Sequence, residues 1–144
     1  MRKSLTLWLC VLVLAGTVAT VATVATVAAV QQTADAADRT GTWSGTWEGG
    51  GGTGGFELTL EKPKDGPLAG RVSVTGEPTY KATLKTVTVD GNKLSAVYDF
   101  PAAEGAEVVL AGTFDGNACK GTWVVREKAS GNAAVEGTWS VAKK

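Results

Sequence analysis

Five times after Thr40 a glycine stands two residues away from a larger apolar residue on each side: Trp43, Gly45, Trp47; Leu68, Gly70, Val72; Leu110, Gly112, Phe114; Cys119, Gly121, Trp123; and Val135, Gly137, Trp139. A two-residue period puts all three members of a triplet on one face of a β-strand. In the first copy the intervening residues Thr42, Ser44, Thr46 and Glu48 are polar and take the other face. Glycine weakens a flat strand, because it loses the most entropy on ordering and offers nothing to pack. Its recurrence on the buried face therefore needs a geometric reason, and a small barrel supplies one. Barrel strands must coil strongly while the interior holds large rings without overlap, so an inward glycine relaxes the bend and leaves a notch for a neighbouring indole. Trp43, Trp47, Trp123 and Trp139 accordingly read first as core filling.

The same period runs through the rest of the chain. Phe56-Glu-Leu-Thr-Leu60-Glu is its clearest instance, with one apolar and one wet face. Strands are expected over 42–49, 55–62, 67–75, 80–89, 93–100, 106–115, 118–127 and 133–142, and no segment shows a helical period. KDGP at 64–67, TGEP at 75–78, DGN at 90–92 and 115–117, FPAAEG at 100–105 and ASGN at 129–132 separate them. Asp-Gly supplies the positive φ of tight hairpins, so consecutive strands pair directly and form a meander. A meander with no helix to cover a second face is stabilised by closing on itself, which removes its edges. The expected fold is all-β, an eight-stranded antiparallel up-and-down barrel, with a β-sandwich as the alternative. One irregularity stands out: in TLKTVTVD the apolar phase shifts between Leu84 and Val87, which predicts a bulge or a broken pairing in the fourth strand. VTVDGNKLSAVY at 87–98 also aligns with GTFDGNACKGTW at 112–123. Cys119 thus takes the place of Leu94 and reads as a small buried hydrophobe.

Ahead of this domain, Arg2 and Lys3 precede an uncharged run from Leu5 to Val30 that opens LTLWLCVLVLAG, the order of a secretory signal peptide. Residues 1–36 are expected to be that leader, with cleavage before Ala37 preferred, the Thr-Val-Ala steps upstream as alternative sites, and one domain over 37–144. The rival is an uncleaved anchor, since Leu5 to Val30 can span a bilayer at about 1.5 Å per residue. The repeat TVATVATVATVAAV, rich in threonine and alanine, argues for the leader. Trp8 and Leu9 are too large for lipoprotein processing at Cys10. The expected location is secreted or periplasmic, with membrane attachment only through an uncleaved N-terminal segment.

The remaining domain is nearly neutral, because the chain holds 14 basic and 14 acidic residues and the leader removes two of one and one of the other. No electrostatic case exists for nucleic acid. Cys119 alone survives processing and histidine is absent, so a disulfide, a thiolate cluster and the usual base and metal ligand are all missing. The glycines at 49–52 lack the Lys-Ser/Thr of a phosphate loop and read as a hairpin tip. Glu48, Glu57, Glu61, Asp99, Glu107 and Glu136 fall on the wet face by alternation, and each DGN offers too few oxygens for calcium. No enzyme, metal or cofactor is expected. What remains is the barrel interior and its mouths. The leading expectation is binding of a small apolar or amphipathic ligand lined by Trp47, Tyr98, Trp123 and Trp139. The alternative is a structural or protein-interaction module of the cell envelope with a filled core.

The Gly-Thr-Trp copies at 41–43 and 45–47 carry a resemblance. The domain resembles the calycin-type up-and-down barrels: lipocalins, fatty-acid-binding proteins and avidins. Either copy is similar to the Gly-x-Trp of the first lipocalin strand, and GTWEGGGGTGGFELTLEKPKDGPLAG at 45–70 is similar to the opening hairpin of avidins. The resemblance implies the barrel and a ligand at its mouth. It does not carry biotin binding, because Gly49 to Gly52 stand where avidins have polar residues. Nor does it carry the arginine that lipocalins place beside their tryptophan, because the last strand has none and Arg126 on the strand before it should face outward.

Overall fold

The computed structural model describes residues 39–144; the expected leader and its cleavage site lie outside the described residues. Nine strands follow one another: β1 Gly41–Gly49, β2 Gly52–Glu61, β3 Ala69–Val74, β4 Tyr80–Thr83, β5 Thr86–Asp90, β6 Lys93–Asp99, β7 Ala106–Asp115, β8 Ala118–Glu127 and β9 Ala133–Lys143. They form one antiparallel sheet in the order β4-β3-β2-β1-β9-β8-β7-β6-β5. Every sequential neighbour is paired except β4 and β5, and the first strand pairs with the last. Two separate stacked sheets, the alternative fold, are not what the chain adopts.

The difference from eight strands lies in the expected fourth strand, which is two strands meeting at Leu84 and Lys85. Leu84 N–H donates to Gly70 O at 2.9 Å, continuing the ladder with β3, and Lys85 N–H donates to Val97 O at 2.8 Å, opening the ladder with β6. The physical reason is the phase shift. Tyr80, Ala82 and Leu84 face the core in the first half, Val87 and Val89 in the second, so one straight strand cannot bury both sets. The two edges of the curled sheet are therefore consecutive in the chain.

Its inner face carries a continuous core in which Leu58, Leu60, Val72, Leu94, Val108 and Leu110 are nearly or wholly buried. No polar or charged residue is buried among the described residues. Glu107 meets its cross-strand partner Arg126 on the outer face, Nη2 to Oε1 at 2.7 Å. Cys119 lies inside, where burial pushes its thiol up to about 12 while the charge of Arg39 draws it down. It is therefore protonated at neutral pH and a poor nucleophile. The end of the sheet where β1 begins is filled by Trp43, whose ring lies 5.0 Å from Phe114 and whose indole N–H donates to Arg39 O at 3.0 Å. The Arg39 guanidinium covers Phe114 at 4.7 Å and Lys143 Nζ sits 5.6 Å from the Trp43 ring. A lysine of the last strand thus stands beside this tryptophan.

Candidate functional site

The opposite end of the sheet is built from glycines and indoles in register. One row across the strands reads Leu94, Gly112, Gly121, Trp139, Trp47, Gly54, and the next reads Ala96, Leu110, Trp123, Gly137, Gly49, Gly52. Each indole therefore has a glycine beside it. The two duties expected of these glycines are shared out unevenly among them. A methyl group at Gly45 or Gly121 would strike the backbone of the adjacent strand, at Ser140 O and Ala111 O respectively. These two permit the close backbone approach that strong coiling needs. A methyl group at Gly112 would instead meet the Trp139 ring at 2.6 Å, so Gly112 is a notch for an indole. Gly137 serves both duties, since a methyl group there would strike Glu48 O of β1 and also meet the Trp123 ring at 2.6 Å.

Every indole N–H at this end is used internally. Trp47 donates to Thr75 O at 3.0 Å, Trp123 to Glu48 O at 3.2 Å and Trp139 to Thr122 O at 3.0 Å. The rings are thereby fixed in place as apolar wall, with Trp47 and Trp123 edge to face at 5.8 Å and 81°. Beside Trp47 and Trp123 opens a cavity of about 150 Å³, walled by residues that include Trp47, Phe56, Val74, Tyr80, Tyr98, Val108, Leu110, Trp123 and Val125. Its rim carries Gly49, Gly50 and Gly52 from the first hairpin, Glu77 and Pro78 from the loop before β4, and Phe100. Gly50 and Gly51 form the two-residue tip with φ of +59° and +82°, the left-handed values of a tight hairpin. β2 begins at Gly52, three residues ahead of the strand expected there, because the glycines continue the ladder up to the Gly49–Gly52 pair.

Three of the four residues singled out from the sequence, Trp47, Tyr98 and Trp123, line this cavity. Trp139 does not: it is 2% exposed and packs 5.4 Å from Phe56 within the core. Its ring turns towards Gly112 on β7, two strands from its own β9. Phe56, Tyr80 and Phe100 line the cavity without having been singled out. Phe56 carried the signal of the clearest strand, whereas Phe100 sat in a segment read as a turn.

The cavity's polar equipment is sparse. Tyr80 and Tyr98 hydroxyls bond to each other at 2.9 Å, tying β4 to β6 beside the unpaired junction of β4 and β5. Tyr80 also meets Phe100 edge to face at 5.6 Å. Burial raises the pKa of both phenols; for Tyr98 the charge and hydrogen bond of Tyr80 add to the rise, while for Tyr80 the bond to Tyr98 opposes it. Glu77, exposed on the rim, is the one charged residue of the lining among the described residues.

This pair gives a sharp alkaline prediction, because Tyr80 and Tyr98 are the only tyrosines in the chain. A phenol that stays protonated when folded but ionises when unfolded makes the unfolded state bind fewer protons at high pH. Stability is then full below the unfolded pKa near 10 and falls as pH climbs past it. Phenolate absorbance should set in at a higher pH than for free tyrosine, which ionises near about 10, and the loss of structured tryptophan fluorescence should be accompanied by a further rise. Phenolate appearing with the titration of free tyrosine would contradict the burial of the pair.

The fold and site define an all-β curled meander with an aromatic cavity at one end. No protein-family model matches the chain, and no curated protein matches it. A solved structure described as "Structure of EF1p2_mFAP2b bound to DFHBI" is similar in fold, with a TM-score of 0.57 over 76% of this chain and 97% of that chain at 16% sequence identity. At that identity the likeness is one of fold.

Proposed function

We propose that this is an exported, calycin-like barrel protein that binds a small apolar or amphipathic molecule at its mouth. The observation that carries the reading is the cavity itself: an aromatic and aliphatic wall whose indole donors are all spent on backbone carbonyls, open between the first hairpin tip and the loop before β4. Such a wall gains by covering apolar surface and demands few polar partners. The similar fold that holds DFHBI supports the use of this architecture for a small ligand. The leader-like sequence of residues 1–36 supports export, and catalysis is no part of the reading.

Size narrows the ligand. A cavity of about 150 Å³ matches the engineered apolar cavity of about that volume that accepts benzene, and falls below the roughly 300 Å³ at which drug-sized sites begin. The occupant is a single ring with a short substituent, or the end of a longer molecule that projects into solvent. The same small volume favours, as the second reading, a structural or interaction module of the envelope whose core is nearly filled.

Titrating the purified protein with a panel of small aromatic and short-chain amphipathic compounds, DFHBI included, distinguishes the two. Saturable quenching or shifting of tryptophan fluorescence is expected, because Trp47 and Trp123 form the wall. Val125→Phe, which puts a ring into the cavity, should abolish that response. Silence across the panel would favour the filled module.

A further inference from the structure

We propose that the cavity rejects anions and selects a molecule whose ring-sized apolar end carries one hydrogen-bond acceptor, held by the Tyr80–Tyr98 hydroxyl pair; this rests on the ligand-binding reading above. Two hydroxyls bonded to each other at 2.9 Å use one O–H hydrogen between them. The second hydrogen has no other bond to a described residue. The pair lies among cavity-lining residues, and an unused donor in an apolar setting is costly enough to favour any oxygen that reaches it. The other side-chain donors of the wall, the indoles of Trp47 and Trp123, are occupied by Thr75 O and Glu48 O. One leftover hydrogen therefore sets the polar requirement to a single acceptor, such as a ketone or ether oxygen.

Charge sets the remaining limit. Among the described residues no lysine or arginine lines the cavity, and its one charged residue is Glu77 on the rim. A carboxylate entering there would leave water without a counter-ion and pass an acidic side chain on the way. A neutral acceptor meets neither obstacle.

The pair also ties β4 to β6, so the test must read something that a bracing role does not move. That quantity is the ratio of affinities for acetophenone and cumene, which share a ring and a branched three-atom substituent but differ in the carbonyl oxygen. Calorimetric titration of the purified protein should show acetophenone binding about threefold to tenfold tighter than cumene, the range of a single net hydrogen bond, with benzoate unbound. Tyr80→Phe and Tyr98→Phe should each keep the preference, because the surviving hydroxyl then offers its own hydrogen. The double variant should bind both compounds equally, and cumene binding reports that it is folded with an open cavity. Should the double variant not fold, the carbonyl stretch of acetophenone bound to the natural protein decides: a shift to lower frequency than in hexane supports the assignment, and an unshifted stretch overturns it. Equal affinities in the natural protein, a preference that survives both substitutions, or benzoate binding as tightly as acetophenone would also overturn it. If acetophenone and cumene bind equally, the cavity remains a ligand site and the polar assignment alone falls. If neither binds, both readings fall.

Discussion

Replacing Gly121 by alanine should lower the unfolding free energy by about 3 kcal/mol, the upper part of the range for overfilling a packed interior. The added methyl group would strike Ala111 O and lie 2.5 Å from Gly112 Cα. Both are backbone atoms of β7, the strand to which Gly121 is laddered. A side chain can rotate away from a new neighbour, but a paired backbone moves only by loosening its ladder. Gly66→Ala is the control, since its nearest neighbour would be the Pro63 ring at an ordinary 3.7 Å, and it should stay within about 0.5 kcal/mol of the natural protein. Chemical denaturation of the two variants checks the pair. A Gly121→Ala protein as stable as Gly66→Ala would mean that the strands do not approach as closely as the coiled sheet requires.

Trp139→Ala should cost about 3–5 kcal/mol, the usual range for truncating a buried tryptophan. The indole is 2% exposed, packs against Phe56 and gives its N–H to Thr122 O. Against a typical total of about 5–15 kcal/mol, that loss approaches global unfolding. The informative measurement is its coupling to Gly112, whose absent side chain leaves the space that this ring occupies. Gly112→Val alone should destabilise by about 1–3 kcal/mol through overlap with the ring. Introduced into Trp139→Ala it should cost far less or restore part of the loss, because its methyl groups enter the vacated volume. A double-mutant cycle should give a coupling of about 1–3 kcal/mol. Additive losses would show that the ring does not rest in the Gly112 notch.

Much of this architecture was legible in the triplets. Gly45, Gly112, Gly121 and Gly137 signalled inward, coiled strands, and alternation correctly kept Glu48, Glu107 and Arg126 out of the core. The interruption near Leu84 was visible as a change of apolar phase, although only the hydrogen bonds of Leu84 and Lys85 show that it divides the strand between two partners. The division of labour among the glycines was hidden, since an inward Gly45 and an inward Gly112 look alike until the stagger of the strands sets what lies opposite. Stagger also separates Trp123 from Trp139. Both end a triplet with glycine at the centre, yet one ring reaches the cavity and the other turns towards Gly112. Tyr80 and Phe100 escaped notice because strand period says which face a residue takes and nothing about which loops the curl gathers at one end. Their meeting is set by long-range curvature, a property of the whole sheet.

The antiparallel match of Trp43 with Lys143 puts the start of β1 and the finish of β9 side by side, at the pole away from the Gly50–Gly51 tip. Arg39 and Lys144 therefore both lie at the closed pole. A tether to a lipid bilayer, a purification tag or a fused partner attached there would leave the aromatic entrance directed outward and unobstructed. Linking the two neighbouring ends and cutting elsewhere would reorder the chain with little disturbance to its curvature.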